Sequence, residues 1–342
     1  MRVAMYYNND DVRLEQMPTP KIGPGELLVR IEASGICGSD VMFWYRKDKV
    51  PLVLGHEIAG VVVEAGEGVE RYKVGDRISA SHHVPCNTCH YCRRGHHTVC
   101  DTLRRTNFDP GGFAEFVRLP AINVDRGVYP IPDGVSFEEA TFTEPLACVL
   151  RGLRMARMQP SDSVLVIGSG ISGILYIALA RALGAGRIAA TDLVDYRLDM
   201  AKRFGAEHVF KADEYTPDAL RDVNDGRLAD LVVVCTGATG AVKQALESVE
   251  RGGTIMLFAP TDPGVEIPIR IADLFWKNDI TITTSYAGSP ADHMAAMELI
   301  RTRRVPVAEM ITHRFGLADA GKGFKLVAEA KESLKVIIEP QR

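Results

Sequence analysis

One glycine-rich stretch restricts the possible folds of this chain more than any other feature. Residues 163–167 form a short apolar run, and Gly168-Ser-Gly170-Ile-Ser-Gly173 follows it and opens a second apolar segment. In a G-x-G-x-x-G turn, the first Gly permits a tight turn, the second lets the backbone approach a pyrophosphate, and the third allows close helix–strand packing. The stretch therefore predicts a dinucleotide site. Ile171 and Ser172, at the helix N-terminus, would offer N–H groups to the anion.

The segments around this turn alternate between strands and helices. The sequence predicts strands at 163–168, 187–192, 231–235, 254–258 and 280–285, and helices at 171–183 and 196–204. This alternation indicates βαβ units and a parallel sheet. Residues 1 to about 145 instead show short strands at 27–36, 58–66 and 76–84 between Gly, Pro and Asp, which predicts an irregular β-rich domain. In the tail we predict helices at 291–301 and 318–330, and extended segments at 310–315 and 335–338.

Residues beyond the glycine turn complete the predicted cofactor site. Asp192 ends the second strand, where a carboxylate accepts hydrogen bonds from a ribose 2′-hydroxyl and repels a 2′-phosphate, so NAD is favoured over NADP. The alternative is that Asp192 only caps the following helix. Arg197, on that helix, would contact the adenine or a phosphate. Cys235 and Thr236 end a later apolar run near the cofactor, where packing explains the Cys better than reactivity does.

Composition excludes several classes of protein. The chain has 342 residues, which predicts two domains, and its net charge of -4 argues against a nucleic-acid partner. No apolar run reaches the roughly 18–20 residues that span a bilayer, and residues 1–16 lack the apolar core of a signal peptide. We therefore expect no membrane association and a cytoplasmic location, where thiols stay reduced.

Four cysteines crowd into a short segment, Cys86-x2-Cys89-x2-Cys92-x7-Cys100. In a reducing compartment such a cluster indicates metal ligands before disulfides. Four thiolates suit a closed, tetrahedral structural zinc site. An iron–sulfur cluster and a nucleic-acid-binding zinc ribbon are the alternatives. Five histidines in the same region, at 82, 83, 90, 96 and 97, are expected to form an exposed polar surface.

A second set of metal-binding residue types lies outside this cluster. Cys37, His56, Glu57 and Glu144 offer a thiolate, an imidazole and two carboxylates. A catalytic zinc keeps three protein ligands and one open position, which Cys37, His56 and either Glu57 or Glu144 would provide. Zinc there lowers the pKa of an alcohol, whose hydride can then pass to a nicotinamide. Each residue alone also has an ordinary structural explanation, so their joint presence before a dinucleotide fold carries the prediction.

The order of these motifs resembles the zinc-dependent medium-chain dehydrogenases over nearly the whole chain. The resemblance is carried by GICGSD, GHEIAGVVVEAG, the four-cysteine segment, EPLACVL, VIGSGISG and TDLVDYRLDMAKRFGAE. The chain is most similar to the polyol (sorbitol-type) and threonine dehydrogenase branches. The resemblance implies an α/β protein: a GroES-like β-rich catalytic domain, residues 1–148 and 289–342, interrupted by a Rossmann NAD-binding domain, residues 149–288. It also implies an active site in the cleft between them, and a homotetramer or homodimer.

The resemblance also assigns roles. It implies that Cys37 and His56 bind the catalytic zinc, that Glu57 is the carboxylate beside the metal, and that Ser39 receives the substrate proton. Glu144 followed by Pro matches the polyol branch, and the four cysteines match a structural zinc lobe, giving two zinc ions per chain. Met42 stands where many relatives have a proton-carrying His, so the relay beyond Ser39 must use another group.

The substrate pocket is less well defined. Trp44, with Phe43 and Tyr45, would stack on a sugar-like skeleton or form a hydrophobic patch under the loop. Phe108 is predicted to face the cleft, and Tyr286 matches a polyol-contact position. Ser285 departs from the Arg that sorbitol-type enzymes tend to carry there.

We therefore expect a zinc- and NAD-dependent enzyme that interconverts a secondary alcohol, of a polyol, cyclitol or sugar derivative, and its ketone. The alternative enzyme is a threonine-type 3-dehydrogenase. A non-catalytic dinucleotide-binding homologue is a further class, which Met42 favours and the retained ligand set opposes.

Overall fold

The structure, a computed structural model, describes all 342 residues. The strands are β1 (Arg2–Asn8), β2 (Asp11–Gln16), β3 (Leu27–Gly35), β4 (Leu52–Val53), β5 (Glu57–Ala65), β6 (Arg77–Ala80), β7 (Phe116–Leu119), β8 (Val128–Pro130), β9 (Val164–Ile167), β10 (Ile188–Asp192), β11 (His208–Lys211), β12 (Ala229–Val234), β13 (Val249–Leu257), β14 (Thr281–Thr284), β15 (Ile311–Gly316) and β16 (Lys335–Glu339). The helices are α1 (Phe43–Arg46), α2 (His90–Arg93), α3 (Asp101–Arg105), α4 (Ala121–Arg126), α5 (Phe137–Ala140), α6 (Thr143–Met155), α7 (Ile171–Ala182), α8 (Asp195–Phe204), α9 (Pro217–Val223), α10 (Thr239–Ser248), α11 (Ile271–Phe275), α12 (Pro290–Arg301) and α13 (Ala320–Glu329). Short 3₁₀ turns occupy Gly38–Val41, His97–Val99, Val307–Met310 and Leu317–Asp319.

The chain divides into two units, residues 1–147 with 287–342, and residues 148–286. None of its helices combines the length and apolarity needed to cross a bilayer.

The second unit contains one parallel sheet in the order β11-β10-β9-β12-β13-β14. Every residue of β9 is buried, as expected for a central strand covered on both faces. Ile167, the last residue of β9, pairs with Thr191 of β10 and with Val234 of β12. The carboxyl ends of three neighbouring strands therefore lie at the same edge of the sheet. Open α/β sheets bind their ligands at this edge. The predicted parallel sheet is confirmed.

The first unit is built on a larger sheet in the order β15-β16-β3-β5-β6-β8, with β7 also paired to β3, and a smaller sheet β2-β1-β4. The core under the larger sheet includes Leu27, Val29 and Ile31 of β3. Gly35, the last residue of β3, pairs with Glu57 on one side and with Ile337 on the other. The end of β3 is thus the point at which segments distant in sequence meet. The predicted β-rich first unit is confirmed.

Candidate active site

Three predicted metal-binding residues meet at the end of β3. Cys37 follows β3, Glu57 begins β5 and His56 immediately precedes it, so the pairing of Gly35 with Glu57 brings the two segments together. The donor atoms of Cys37, His56 and Glu57 all lie within 4.8 Å of one another. Donors around a tetrahedral zinc ion stand about 3.3–3.8 Å apart. The set therefore suits one metal ion after small shifts, with a fourth position left for a ligand.

The Glu57 carboxylate provides a direct test of this fit. Its Oε2 accepts a hydrogen bond of 2.6 Å from Nζ of Lys335, and both side chains are 1% exposed. Its Oε1 is buried and has no hydrogen-bond partner. Buried polar atoms normally have a partner, and Glu57 is one of three side chains whose donor atoms meet here. A cation bound between Cys37 and His56 would satisfy it.

His56 is held by a buried carboxylate behind it. Its Nδ1 lies 3.4 Å from Oδ1 of Asp40, which is fully buried and also lies 3.5 Å from Nη2 of Arg46. Burial alone would raise the pKa of Asp40, but His56 and Arg46 hold that pKa below its usual value. Burial alone would lower the pKa of His56, but Asp40 and Cys37 hold it well above its usual value. A carboxylate behind a metal-binding imidazole orients the ring and makes it a stronger ligand.

Ser39 lies beside the same donor set. Its hydroxyl Oγ donates to Sγ of Cys37 at 3.4 Å, and its backbone N–H donates to the same sulfur at 3.5 Å. The backbone carbonyl of Ser39 accepts from Nε of Arg46 at 3.2 Å. The hydroxyl is therefore fixed next to a candidate ligand atom, where it can take a proton from an alcohol bound there.

His82 and His83 are not part of an exposed polar surface, which corrects that expectation. The ring of His82 lies 4.8 Å from that of His56 and 3.7 Å from that of His83, between centroids. Burial and the neighbouring rings hold the pKa of His82 well below its usual value. His82 therefore lines the site as a neutral ring. The sequence does not distinguish His82 from the other clustered histidines. His90 and His96 are exposed, and only the packing of distant segments covers His82.

Other predicted site residues lie outside the three-residue donor set. Glu144 is buried in the first turn of α6 and is not among the donor atoms that meet at Cys37. Phe108 is buried in the core of the first unit, with its ring edge-on to His82 at 6.1 Å. Trp44 lies in α1, partly buried, with its ring tilted against Tyr45 at 5.9 Å. Tyr286 belongs to the second unit and is 51% exposed.

The four clustered cysteines form a second donor set. The sulfurs of Cys86, Cys89, Cys92 and Cys100 all lie within 4.8 Å of one another, and none forms a disulfide. Such close sulfurs suit a single ion, because the ligands of an iron–sulfur cluster bind different iron atoms. Several hydrogen bonds lower the pKa of Cys86 to about 5, and the one from the backbone N–H of Thr88 has the largest effect. The set can therefore hold zinc with no position left for a substrate.

The glycine turn of the second unit has the geometry that an anion site needs. Gly168 has a φ of +92°, which side-chain-bearing residues rarely adopt. A Cβ on Gly173 would overlap the carbonyl oxygen of Gly168, so the helix can approach the strand only with Gly there. Gly170 caps α7, which begins with Ile171 and Ser172. The first backbone N–H groups of α7 thus start at the level carboxyl ends of the strands.

Asp192 and Arg197 border this turn. Asp192 accepts from the backbone N–H of Ser169 at 2.8 Å and from that of Val194 at 2.9 Å. It therefore fixes the turn rather than capping α8, whose N-cap is Val194. A Cβ on Gly170 would lie 3.7 Å from Nη1 of Arg197, and Nε of Arg197 is buried without a partner. A guanidinium beside the turn attracts a phosphate.

Cys235 and Thr236 form the other wall of the turn. A Cβ on Gly168 would contact both residues at 3.3 Å. The backbone N–H of Cys235 donates to the carbonyl of Ile167 at 2.8 Å. Burial raises the pKa of the Cys235 thiol far above its usual value, so this cysteine packs rather than reacts.

Comparisons with known proteins identify the family of the chain. Residues 23–133 match the family described as alcohol dehydrogenase GroES-like domain, and residues 172–302 match the zinc-binding dehydrogenase family. Sorbitol dehydrogenase of Mus musculus is 32% identical over 340 residues, which cover 96% of this chain and 93% of the relative. Sorbitol dehydrogenase of Bacillus subtilis is 29% identical over 355 residues, covering 100% and 98%.

A solved structure shares the whole fold. Galactitol-1-phosphate dehydrogenase from Escherichia coli is 26% identical and superposes with a TM-score of 0.87, covering 99% of this chain and 100% of that one. The first family match lies within the first unit, and the second covers most of the second unit and extends to residue 302. The chain is therefore an oxidoreductase that belongs to the zinc-dependent medium-chain dehydrogenase family.

Proposed function

We propose that this enzyme interconverts a secondary alcohol of a polyol, cyclitol or sugar derivative and its ketone, with NAD(H) as cofactor. The single observation that carries the proposal is the meeting of Cys37, His56 and Glu57, in which Oε1 of Glu57 is buried without a partner. The substrate class is supported by the two sorbitol dehydrogenases and the galactitol-1-phosphate dehydrogenase that resemble this chain.

The residues of the first unit have distinct roles in this reaction. When bound, the zinc ion supplies a Lewis acid for the alcohol oxygen and the nicotinamide supplies a hydride acceptor. Cys37, His56 and Glu57 would hold the ion, and Asp40 fixes the ring of His56. As the Oγ of Ser39, next to Cys37, takes the hydroxyl proton, it releases its own proton to water. Met42, which follows closely, has no group that can carry the proton further.

NAD is the cofactor we propose, in preference to NADP. The negative charge of Asp192 at the end of β10 disfavours a 2′-phosphate and suits a ribose 2′-hydroxyl. Arg197 acts in the opposite direction, because its guanidinium is partly buried and its Nε has no partner. We therefore propose that NADP is used less efficiently rather than rejected.

Two zinc ions per chain complete the proposal, one at Cys37 and one in the cysteine lobe of residues 86–100. The lobe needs reduced thiols, which suits the cytoplasm. Nothing in the charge balance calls for a nucleic-acid partner.

A second copy of the chain is the macromolecular partner we propose, as a homodimer or homotetramer. The second unit carries exposed apolar side chains at Ile271, Phe275 and Trp276, which are 69%, 66% and 66% exposed. The adjacent strand β14 is the last in its sheet, with one edge unpaired. Exposed edges and apolar patches on a folded protein favour pairing with another chain. The mass in solution of wild type and of Trp276→Glu tests this: a wild type that is monomeric at all concentrations contradicts the proposal.

The function is tested by NADH formation across a substrate panel. Sorbitol, xylitol, cyclitols, sugar phosphates, threonine and simple alcohols are each offered with NAD⁺, to the enzyme as purified and after chelation. We expect turnover of polyols or their derivatives that chelation abolishes, and about two zinc ions per chain. Turnover of threonine alone would establish the amino-alcohol branch. A chain with one zinc and no turnover of any substrate would contradict the catalytic assignment.

A further inference from the structure

The ammonium group of Lys335 occupies a buried position behind the candidate metal site. Its Nζ lies 2.6 Å from Oε2 of Glu57 and 3.3 Å from the carbonyl oxygen of Ile36. It also lies 5.6 Å from the ring centroid of Phe142. A buried cation is stable only when its donors have partners, and here a carboxylate, a carbonyl and an aromatic face provide them.

Each partner of this ammonium adjoins a candidate metal-binding residue in the chain. Ile36 immediately precedes Cys37, Glu57 is itself in the donor set, and Phe142 precedes Glu144 by two residues. The backbone N–H of Ile36 also donates to the carbonyl of Val336 at 2.9 Å, so β16 reaches this site through main chain and side chain together. One lysine therefore links three segments that carry candidate metal-binding residues.

This contact gives the two carboxylate oxygens of Glu57 different surroundings. Oε2 is occupied by Lys335, and Gly35 leaves the space in which it lies. Oε1 is the oxygen without a partner. A carboxylate held through one oxygen cannot rotate to offer both oxygens to a metal ion.

We propose that Lys335 is a positioning residue for the catalytic metal: it fixes the Glu57 carboxylate through Oε2, so that only Oε1 faces the donor set. Lys335 itself touches neither metal nor substrate. The inference rests on the metal site of the proposed function. A purely structural ion pair would leave the ligand field of the metal unchanged when the lysine is removed. A positioning role for Lys335 instead requires that the ligand field change, and that it change through Glu57.

Cobalt(II) substitution at the Cys37 site of the purified enzyme tests this, because the visible absorption of cobalt reports its ligand atoms and their geometry. Spectra are compared for wild type, Lys335→Met, Glu57→Gln and the double variant. We expect Lys335→Met to change the d–d bands, and the two variants that carry Glu57→Gln to have superimposable spectra. We also expect kcat of Lys335→Met to fall about 10- to 100-fold, as is usual when a partner of a metal ligand is lost.

Two results would overturn the proposal. A Lys335→Met spectrum identical to wild type would show that the lysine does not act on the ligand, and a Lys335 effect that persists in the Glu57→Gln background would show that it acts by another route. Lys335→Gln, which keeps a donor for Glu57, replaces Lys335→Met if that variant does not fold. Lys322→Met, which removes an exposed ion pair with Asp319, is the matched control and should match wild type. A wild type that binds metal only in the cysteine lobe would refute the proposed function itself, an outcome distinct from unchanged spectra.

Discussion

Gly35 and Glu57 stand opposite each other in the pairing of β3 with β5, and a methyl group on Gly35 would overlap Oε2 of Glu57. Because Gly35 has no side chain, the carboxylate of Glu57 has room beside it. Replacing it tests whether the carboxylate must lie there.

We expect Gly35→Ala to reduce the free energy of unfolding by about 1–3 kcal/mol, the usual effect of overpacking a buried site. Because Glu57 must move, the variant should also lose metal from the Cys37 site while the cysteine lobe keeps its ion. Urea unfolding and zinc content per chain measure the two effects. Gly38→Ala is the control, since a Cβ there meets nothing within 4 Å. Full zinc content in Gly35→Ala would show that the position of Glu57 does not matter.

Asp40→Asn removes the charge behind His56 but keeps an oxygen that can accept from the backbone N–H of Cys37, as Asp40 Oδ2 does at 3.0 Å. We expect kcat/KM or metal affinity to fall about 10- to 100-fold, because the imidazole loses the partner that orients it. Steady-state kinetics and competition with a chromophoric chelator measure this. Exposed Asp48→Asn, in the same loop, should behave as wild type. An unchanged Asp40→Asn enzyme would assign Asp40 only to folding of the loop.

Asp192→Asn should shift the cofactor preference towards NADP. Loss of the negative charge removes repulsion of the 2′-phosphate and leaves Arg197 to attract it. We expect the ratio of kcat/KM for NADP to that for NAD to rise about tenfold or more, equivalent to ~1.4 kcal/mol. Asp195→Asn is the control, because its carboxylate is exposed and paired with Lys211 at 2.7 Å. The same rise in both variants would indicate a general charge effect rather than recognition by Asp192.

The packing of His83 predicts a loss of stability in acid. Burial, reinforced by the positive charge of Arg46, lowers the pKa of His83 to about 4. A histidine in the unfolded chain has a pKa of about 6.5, so between these values the unfolded state binds more protons. The contribution of His83 to stability is present above pH ~6.5 and is lost as the pH falls towards about 4, at no more than ~1.4 kcal/mol per pH unit.

His83→Asn should reduce this loss. The amide can still donate to the carbonyl of Thr106, which lies 3.0 Å from Nδ1 of His83. Urea unfolding of both proteins at pH 7 and pH 5, with zinc in excess, gives the comparison. His90→Asn, at an exposed position, is the control. Equal pH sensitivity of His83→Asn and wild type would contradict the prediction.

The parts of this protein that the sequence predicts well are those with a local cause. The strand–turn–helix from Val164 to Ala182 follows from a short apolar run, three glycines and an apolar helix that are consecutive in the chain. The position of His82 beside His56 could not be predicted, because it depends on how β5 and β6 pack. The closeness of Glu57 to Cys37 could not be predicted for a similar reason, because it follows from the pairing of Gly35 with Glu57.

Lys335 illustrates the limit most clearly. In sequence it is a charged residue at the start of an apolar strand, which ordinarily marks a strand end near solvent. Its buried contact with Glu57 joins residues 278 positions apart, and no periodicity or spacing encodes such a pair. The only local indication is the strand itself, in which the apolar residues Val336, Ile337 and Ile338 are wholly buried.

The distance in sequence between Glu57 and Lys335 also sets the order in which the two units can fold during protein synthesis. The second unit is one uninterrupted stretch, residues 148–286, and can fold as soon as the ribosome has released it. The first unit cannot, because β16 is translated only after the entire second unit, although it must pair with β3. A nascent chain therefore carries a finished nucleotide-binding unit before Glu57 has its counter-ion, and the metal centre is among the last features to mature.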